Sequence, residues 1–256
     1  PAVVVVDECG HFAVPLLSGH LGGANDLARA IAALCGAVPV ITTATDAHGL
    51  FAVDEWARHH NCRVLEPERI KTVSGKLLAG EPVLSEFPIA GPAPAGVNAA
   101  PAPEAADFAL TLSPAGNALH LAPRIGVLGI GCRRGTTAEQ LEAAFSAFCA
   151  AYTLAPQCIA AAASIDLKQN EAGLLAFCAA HRWGLSFFSA EALQTAPGSF
   201  TPSAFVRNVT GVDNVCERAA VLASGGSIRI PKQAGGGVTF ALALRPYAPD
   251  WRWQHE

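Results

Sequence analysis

Between Leu16 and Leu34 the chain reads LLSGHLGGANDLARAIAAL, and few backbones are compatible with that order of residues. An apolar run ends at Leu17. Ser18, Gly19, His20, Leu21, Gly22, Gly23, Ala24 and Asn25 then form a polar, glycine-dense turn, after which Leu27, Ala30, Ile31 and Leu34 recur at helical spacing. The segment is therefore expected to pass from a strand through a tight turn into a helix, with glycine where the backbone bends sharply or a ligand comes close. The unpaired N–H groups that open such a helix favour anions. Ser18, His20 and Asn25 add side-chain donors on the same turn, so a carboxylate or phosphate held here would have proton chemistry beside it.

The same alternation runs along the chain. β-Branched runs at residues 2–6 and 12–17 read as two strands joined by a short turn. Residues 37–43 read as a strand ending in a polar cluster of Thr42, Thr43, Thr45, Asp46 and His48, the kind of strand end at which open α/β sheets place ligands. A helix is expected at 53–60, a short strand at 63–65, and a helix at 67–78 with Pro67 in its first turn. Residues 81–103 turn rich in Pro, Ala and Gly without periodicity and read as a linker. A hairpin is expected from 108–112 and 118–121, and the domain boundary falls near 105–124.

In the second half, strands are expected at 125–130, 158–164 and 185–188. A helix capped by Thr136 or Thr137, with Glu139 in the capping-box place, runs to about residue 150. Further helices are expected at 170–181, 190–194, 203–209 and 213–224, and paired strands at 227–231 and 238–244. The expected fold is α/β: two open α/β sheet domains, residues 1–80 and 125–256, joined by an Ala/Pro-rich linker over 81–124.

Composition narrows the function classes. Hydrophobic residues make up 51% and charged residues 15% of the 256, which is the balance of a packed globular protein. No apolar run approaches the ~18–20 residues that cross a bilayer, and the start lacks the basic region of a signal peptide, so a cytoplasmic protein without a membrane partner is expected. A formal charge of −4 argues against nucleic-acid binding. The eight cysteines form no C-x-x-C pair, and several lie in apolar helical patterns, so they read as small buried thiols in a reducing compartment, with no metal site. The sequence has no Met and starts on the edge of a strand: either an initiator was removed or the chain is a fragment.

GIGCRRGTT, from Gly129 to Thr137, stands after a strand and before a helix. Its glycine spacing suits a dinucleotide site with Asp166 as the ribose acid, or simply close helix–strand packing. Arg133 and Arg134 fit carboxylates better than a pyrophosphate cradle, since guanidinium binds carboxylate bidentately; they also read plainly as solvated loop charges. His20 is the leading acid–base candidate, because imidazole titrates near neutral pH and the turn gives it no core position; it also reads as a turn-forming or capping residue. Ser18 has no G-x-S-x-G elbow around it. Asp46 and Thr43 share one strand-end loop, as base and positioning donor or as caps. Asp7 and Glu8 read as turn residues and His59–His60 as structural. Asp166, Lys168 and Gln169, and later Lys232 and Gln233, are expected to converge at the carboxyl edge of the second sheet, and Lys232 reads equally as the charge of a hairpin turn.

Taken together, AVVVVDE, LLSGHLGGANDLA, PVITTATD, GIGCRRGTT, SIDLKQNEAGLL, FFSAEAL, GVDNVCERAAVLASGG and IPKQAGGGVT resemble the cobalt-precorrin-5A hydrolase family (CbiG type) of anaerobic cobalamin biosynthesis. The second half alone also resembles the small homologue of the aerobic pathway. The resemblance implies a hydrolase that opens the lactone joining a ring-A acetate to a meso carbon of a cobalt corrinoid, then expels that carbon and its methyl as acetaldehyde. It implies His20 as general base or acid, Asp46 assisting, and Ser18, Asn25 and Thr43 positioning oxygens. Gly22, Gly23, Gly131, Arg133, Arg134, Thr136, Asp166, Lys168, Lys232 and Gln233 would hold the carboxylate-edged macrocycle, with the two arginines and Lys232 as its clamp. No cofactor is implied, because the cobalt arrives with the substrate; neighbouring pathway enzymes are the other expected partners. Family members carry a further strand–helix region with an ATGI-type motif before AVVVVDE, so the first domain is expected to lack that piece. Two other functions fit the same turns: a non-catalytic corrinoid carrier, and an NAD(P)-dependent oxidoreductase.

Overall fold

The computed structural model describes residues 1–17, 19, 22–86 and 89–252. The chain divides into two compact units, one of Pro1–Thr111, Ala115–Pro123 and Ala248–Glu256, the other of Leu112–Pro114 and Arg124–Tyr247.

In the first unit, β1 (Val3–Val6) and β2 (Phe12–Leu17) pair antiparallel across the Asp7–His11 turn, as the alternation predicts. Helix α1 (Ala24–Cys35) lies on them because its small side chains permit close approach: Ala28 and Ala32 pack on Ala13, with Val4, Ile31 and Ile41 around them. Gly36, left-handed at φ 71°, ends the helix. Of the strand expected at 37–43 only β3 (Val38–Pro39) pairs, parallel to β2; proline has no N–H with which to extend a ladder. The short α2 (Ala44–Ala47) follows, then α3 (Val53–His59), β4 (Cys62–Val64) and α4 (Ile70–Leu78).

The stretch 81–124 is not a linker. It contains β5 (Val83–Ser85), β6 (Val97–Ala99), β7 (Phe108–Leu110) and β8 (Leu119–Pro123), which with β4 make a five-stranded sheet in the order β4-β8-β7-β5-β6. Most of these strands are three residues long, too short to show a period, and proline- and glycine-rich loops surround them. The expected hairpin is also absent: β7 and β8 run parallel, Phe108 opposite Leu119. Their connection is held by His120, whose Nδ1 meets Glu66 Oε1 at 3.0 Å and whose Nε2 meets the Ala115 carbonyl at 2.9 Å. Among the described residues the first unit thus has two sheets, and it also takes in residues 248–252. Trp251 packs against Phe51 and Trp56, and the Trp56 indole donates to the Asp250 carbonyl at 2.7 Å.

The second unit follows the predicted alternation: β9 (Gly126–Cys132), α5 (Ala138–Ala151), β10 (Ile159–Ile165), α6 (Ala172–Ala180), β11 (Gly184–Phe188), α7 (Ala190–Gln194), α8 (Ala204–Thr210), α9 (Cys216–Ser224), β12 (Ser227–Gly235) and β13 (Val238–Leu244). Thr137, not Thr136, caps α5, in a capping box closed by Gln140 rather than Glu139. The strand order is β11-β10-β9-β13-β12, parallel through the first three and antiparallel beyond. Alternate residues of β9 sort to the two faces. Val127 joins Ala163, Leu193, Val215 and Ala219 on the side of α7 and α9. On the side of α5 and α6, Phe145, Phe177, Trp183 and Phe240 pack edge to face and tilted.

Candidate functional site

In the first unit the glycine turn before α1 meets the loop at residues 43–46. Gly23, left-handed at φ 76°, occupies the N-cap position of α1, and the Asn25 N–H donates to the Gly19 carbonyl at 3.0 Å. A Cβ on Gly19 would lie 2.9 Å from Asn25 Oδ1 and 3.1 Å from the Thr43 methyl, so glycine there serves a close approach of side chains. Asn25 is buried, and its Nδ2 donates to Thr43 Oγ1 at 3.2 Å and to Asp46 Oδ2 at 3.0 Å. The Thr43 hydroxyl donates to the same Asp46 oxygen. Asn25, Thr43 and Asp46, picked from two separate motifs, thus form one hydrogen-bonded group.

The donors of Asn25 face Thr43 and Asp46, so it does not offer them to a ligand's oxygen as the resemblance implied. The atom left over is the acceptor Oδ1, buried and without a hydrogen-bond partner among the described residues. Arg29, four residues after Asn25 on α1, was missed by sequence reasoning. Its guanidinium reaches Asp46 Oδ1, Asp26 Oδ1 and the buried Glu55, each at 3.5 Å. The one-turn spacing from Asn25 was the available signal. Gly22 lies exposed in the turn. Ser18 and His20 lie outside the described residues.

In the second unit the predicted residues gather at the carboxyl ends of β9 and β10, together with the tip of the β12–β13 hairpin. Val238 pairs with Cys132 and the Arg133 N–H donates to the Gly237 carbonyl at 3.0 Å, which brings the hairpin to the arginine turn. Several glycines of GIGCRRGTT and its surroundings serve packing. A Cβ on Gly129 would stand 1.7 Å from the Cys216 carbonyl oxygen of α9, one on Gly131 2.4 Å from Thr239 Oγ1, and one on Gly173 2.0 Å from the Thr136 carbonyl oxygen. Gly135 is left-handed at φ 77°. Thr136 is buried, and its hydroxyl donates to the Arg133 carbonyl at 2.8 Å, closing the turn on itself. Arg133 and Arg134 are exposed. Asp166 starts a short 3₁₀ turn after β10, and the Gln233 amide donates to the Pro231 carbonyl at 3.1 Å.

Two carboxylates that sequence reasoning left without a part organise this edge. Glu171 accepts the Gly135 N–H at 2.5 Å and the Lys168 ammonium at 2.9 Å. These two hydrogen bonds, with the charge of Arg134, hold its carboxyl below the usual glutamate range. Glu217, buried at 2% exposure, accepts from the Lys232 N–H at 2.7 Å, the Thr201 N–H at 2.7 Å and hydroxyl at 3.0 Å, and Asn214 Nδ2 at 2.5 Å. Burial pushes the Cys132 thiol up and that of Cys216 to about 11, so neither is an activated nucleophile. Among the described residues one group of three metal-ligating side chains comes together, Asp7, Cys9 and His11 of the exposed β1–β2 turn; there Asp7 accepts the Cys9 and Phe12 N–H groups.

Two family profiles match, described as "Cobalamin synthesis G N-terminal" over residues 1–46 and "Cobalamin synthesis G C-terminus" over residues 126–243. The chain is 35% identical over 263 residues to the cobalt-precorrin-5A hydrolase of Salmonella typhimurium (strain LT2), an alignment covering 95% of this chain and 74% of that one. The chain belongs to the cobalt-precorrin-5A hydrolase (CbiG) family. Another member, from Priestia megaterium, is 30% identical over 274 residues, covering 96% of this chain and 72% of its own. Among solved structures, CobE, described as a protein from the cobalamin (vitamin B12) biosynthetic pathway, aligns at 29% identity with TM-score 0.45, covering 48% of this chain and 92% of its own. The two CbiG profiles fall on the two constellations: the first ends at Asp46, and the second runs from β9 to within one residue of the end of β13. The sheet built from β4 to β8 lies outside both.

Proposed function

We propose that this chain is a cobalt-precorrin-5A hydrolase, acting on a cobalt corrinoid that carries a ring-A acetate lactone. The observation that carries this is the joining of Asn25, Thr43 and Asp46 at the glycine turn, in a chain whose relatives over nearly its whole length bear that activity's name. Water adds to the lactone carbonyl and frees the acetate as a carboxylate. The hydroxyl left on the meso substituent then loses its proton; its C–O becomes C=O, the C–C bond to the macrocycle breaks, and the ring keeps the electron pair and takes a proton as acetaldehyde leaves. This is hydrolysis followed by carbon–carbon cleavage.

In this reading His20 moves the protons. Asp46, held by Asn25, Thr43 and Arg29, is the carboxylate that assists it. Asn25 Oδ1, which meets no donor among the described residues, calls for one, which a water or hydroxyl supplies and a carboxylate does not. On the second unit, Arg133, Arg134 and Lys232 bind corrinoid carboxylates. Lys168, already paired with Glu171, takes a smaller part than the sequence implies. The cobalt belongs to the substrate, and the cycle needs no further metal or cofactor.

Acetaldehyde release from the lactone-form corrinoid tests this. Wild type releases it stoichiometrically, His20→Ala and Asp46→Asn lose about 10²-fold or more in kcat, and both retain binding. Tight binding without acetaldehyde in wild type overturns the enzymatic reading in favour of a carrier.

A further inference from the structure

We propose that Glu171 is a positioning residue for carboxylate recognition: from the start of α6 it fixes the conformation of the Arg133–Arg134 turn and holds Lys168 aside, leaving ligand carboxylates to the two guanidinium groups. This rests on the reading of the second-unit edge as a carboxylate clamp.

The geometry is specific. Four successive residues from Arg133 to Thr136 must turn from the end of β9 toward α5, with Gly135 in the left-handed region. Such a turn leaves N–H groups without partners in either element. Glu171 accepts the one at Gly135 at 2.5 Å, a charge-assisted bond from an oxygen that no sequence neighbour provides. Its second oxygen takes the Lys168 ammonium at 2.9 Å. The side chain is 12% exposed and that of Lys168 16%, so the pair is half-buried whereas Arg133 and Arg134 are exposed. Two residues on, Gly173 lets the first turn of α6 press against the Thr136 carbonyl, where any Cβ would collide at 2.0 Å. The arginine turn is thereby seated on α6 through Glu171 on one side and Gly173 on the other. A guanidinium that pairs bidentately with a carboxylate needs its backbone held, because free rotation of the turn adds an entropic cost to each binding event.

Were Glu171 present only for fold stability, ligand affinity would not follow its substitution. Were it an internal competitor for the clamp, removing it would tighten binding. The experiment uses the full chain and two probes: cobyrinic acid, a corrinoid with free carboxylates, and cobinamide, its amidated counterpart, followed by quenching of tryptophan fluorescence. Hydrogen exchange of the 133–137 segment is measured in parallel. Wild type binds cobyrinic acid in preference to cobinamide. Glu171→Ala weakens cobyrinic acid by about tenfold, the value of one charge-assisted hydrogen bond, and speeds exchange at 133–137. Glu171→Gln, which retains an acceptor for Gly135, stays within about threefold of wild type. Where Glu171→Ala does not melt cooperatively, Glu171→Asp, one methylene short of Gly135, takes its place with the same expectation. Unchanged or tighter binding by a folded Glu171→Ala, or by Glu171→Asp in its place, overturns the proposal. Equal binding of the two probes by wild type overturns the clamp itself, and is recognised separately because it appears before any substitution is made.

Discussion

Single residues explain why the glycines of this chain are not interchangeable. Gly23 needs its left-handed φ, and an added Cβ would meet none of the described residues within 4 Å, so Gly23→Ala is expected to cost the conformational strain, about 1–2 kcal/mol. Gly129 has the opposite problem: its Cβ would stand 1.7 Å from the Cys216 carbonyl, so α9 must lift from the sheet. Gly129→Ala is expected to cost at least about 2 kcal/mol in urea unfolding, and tight NAD(P)H binding by wild type would contradict the packing role given to this motif. Glu171 carries a pH dependence. Its carboxyl is lowered on folding, so the unfolded chain binds the proton first. The stability it contributes is present above the ordinary value of 4.5 and is lost as the pH falls through the lowered one. Exchange protection at Gly135 should therefore collapse on acidification in wild type and be nearly flat in Glu171→Gln.

At the scale of elements, what was legible depended on length. The strands β9, β10 and β13, each seven residues, and the helix α5 of fourteen stand out in the sequence, because period and capping residues have room to show. β5 and β6 have three residues each, and nothing local separates them from the proline- and glycine-rich loops around them; β7 was readable as a strand, but its parallel pairing with β8 was not. Their sheet is specified instead by contacts distant in sequence. Glu66 is the main one: it takes the His120 N–H at 2.9 Å and the ring at 3.0 Å, while Arg69 donates to the Ala118 carbonyl at 2.7 Å. With both ring nitrogens facing acceptors, His120 has no spare hydrogen-bonding site. Glu66→Ala or His120→Ala should destabilise the first unit by about 2 kcal/mol through the partner left unsatisfied, visible as a lower urea midpoint with an unchanged slope. The candidate site divides the same way. Asn25 and Asp46 were readable as polar residues on glycine- and threonine-rich turns, whereas Glu171 and Glu217 resembled ordinary surface charges until the fold placed backbone amides against them.

For the whole molecule, a net charge of −4 conceals a local reversal, with Arg133 and Arg134 exposed at one sheet edge. Binding of a polycarboxylate corrinoid should weaken as salt is raised, most steeply below about 0.15 M, where exposed charges are least screened. The thiols test the packing of both units at once. All eight cysteines are unpaired; Cys9 and Cys35 are exposed, whereas Cys149, Cys158 and Cys178 are buried and pushed up to about 12. A disulfide reagent is expected to modify Cys9 and Cys35 promptly in the native protein and the buried thiols only after denaturation. One consequence concerns synthesis on the ribosome. The strand beside β9 is β13, more than a hundred residues later in the chain, so β9 keeps a bare flank until residues 238–244 have emerged. Through that interval the nascent chain offers a template for illegitimate pairing, and a stop codon soon after Gly226 would make the hazard permanent.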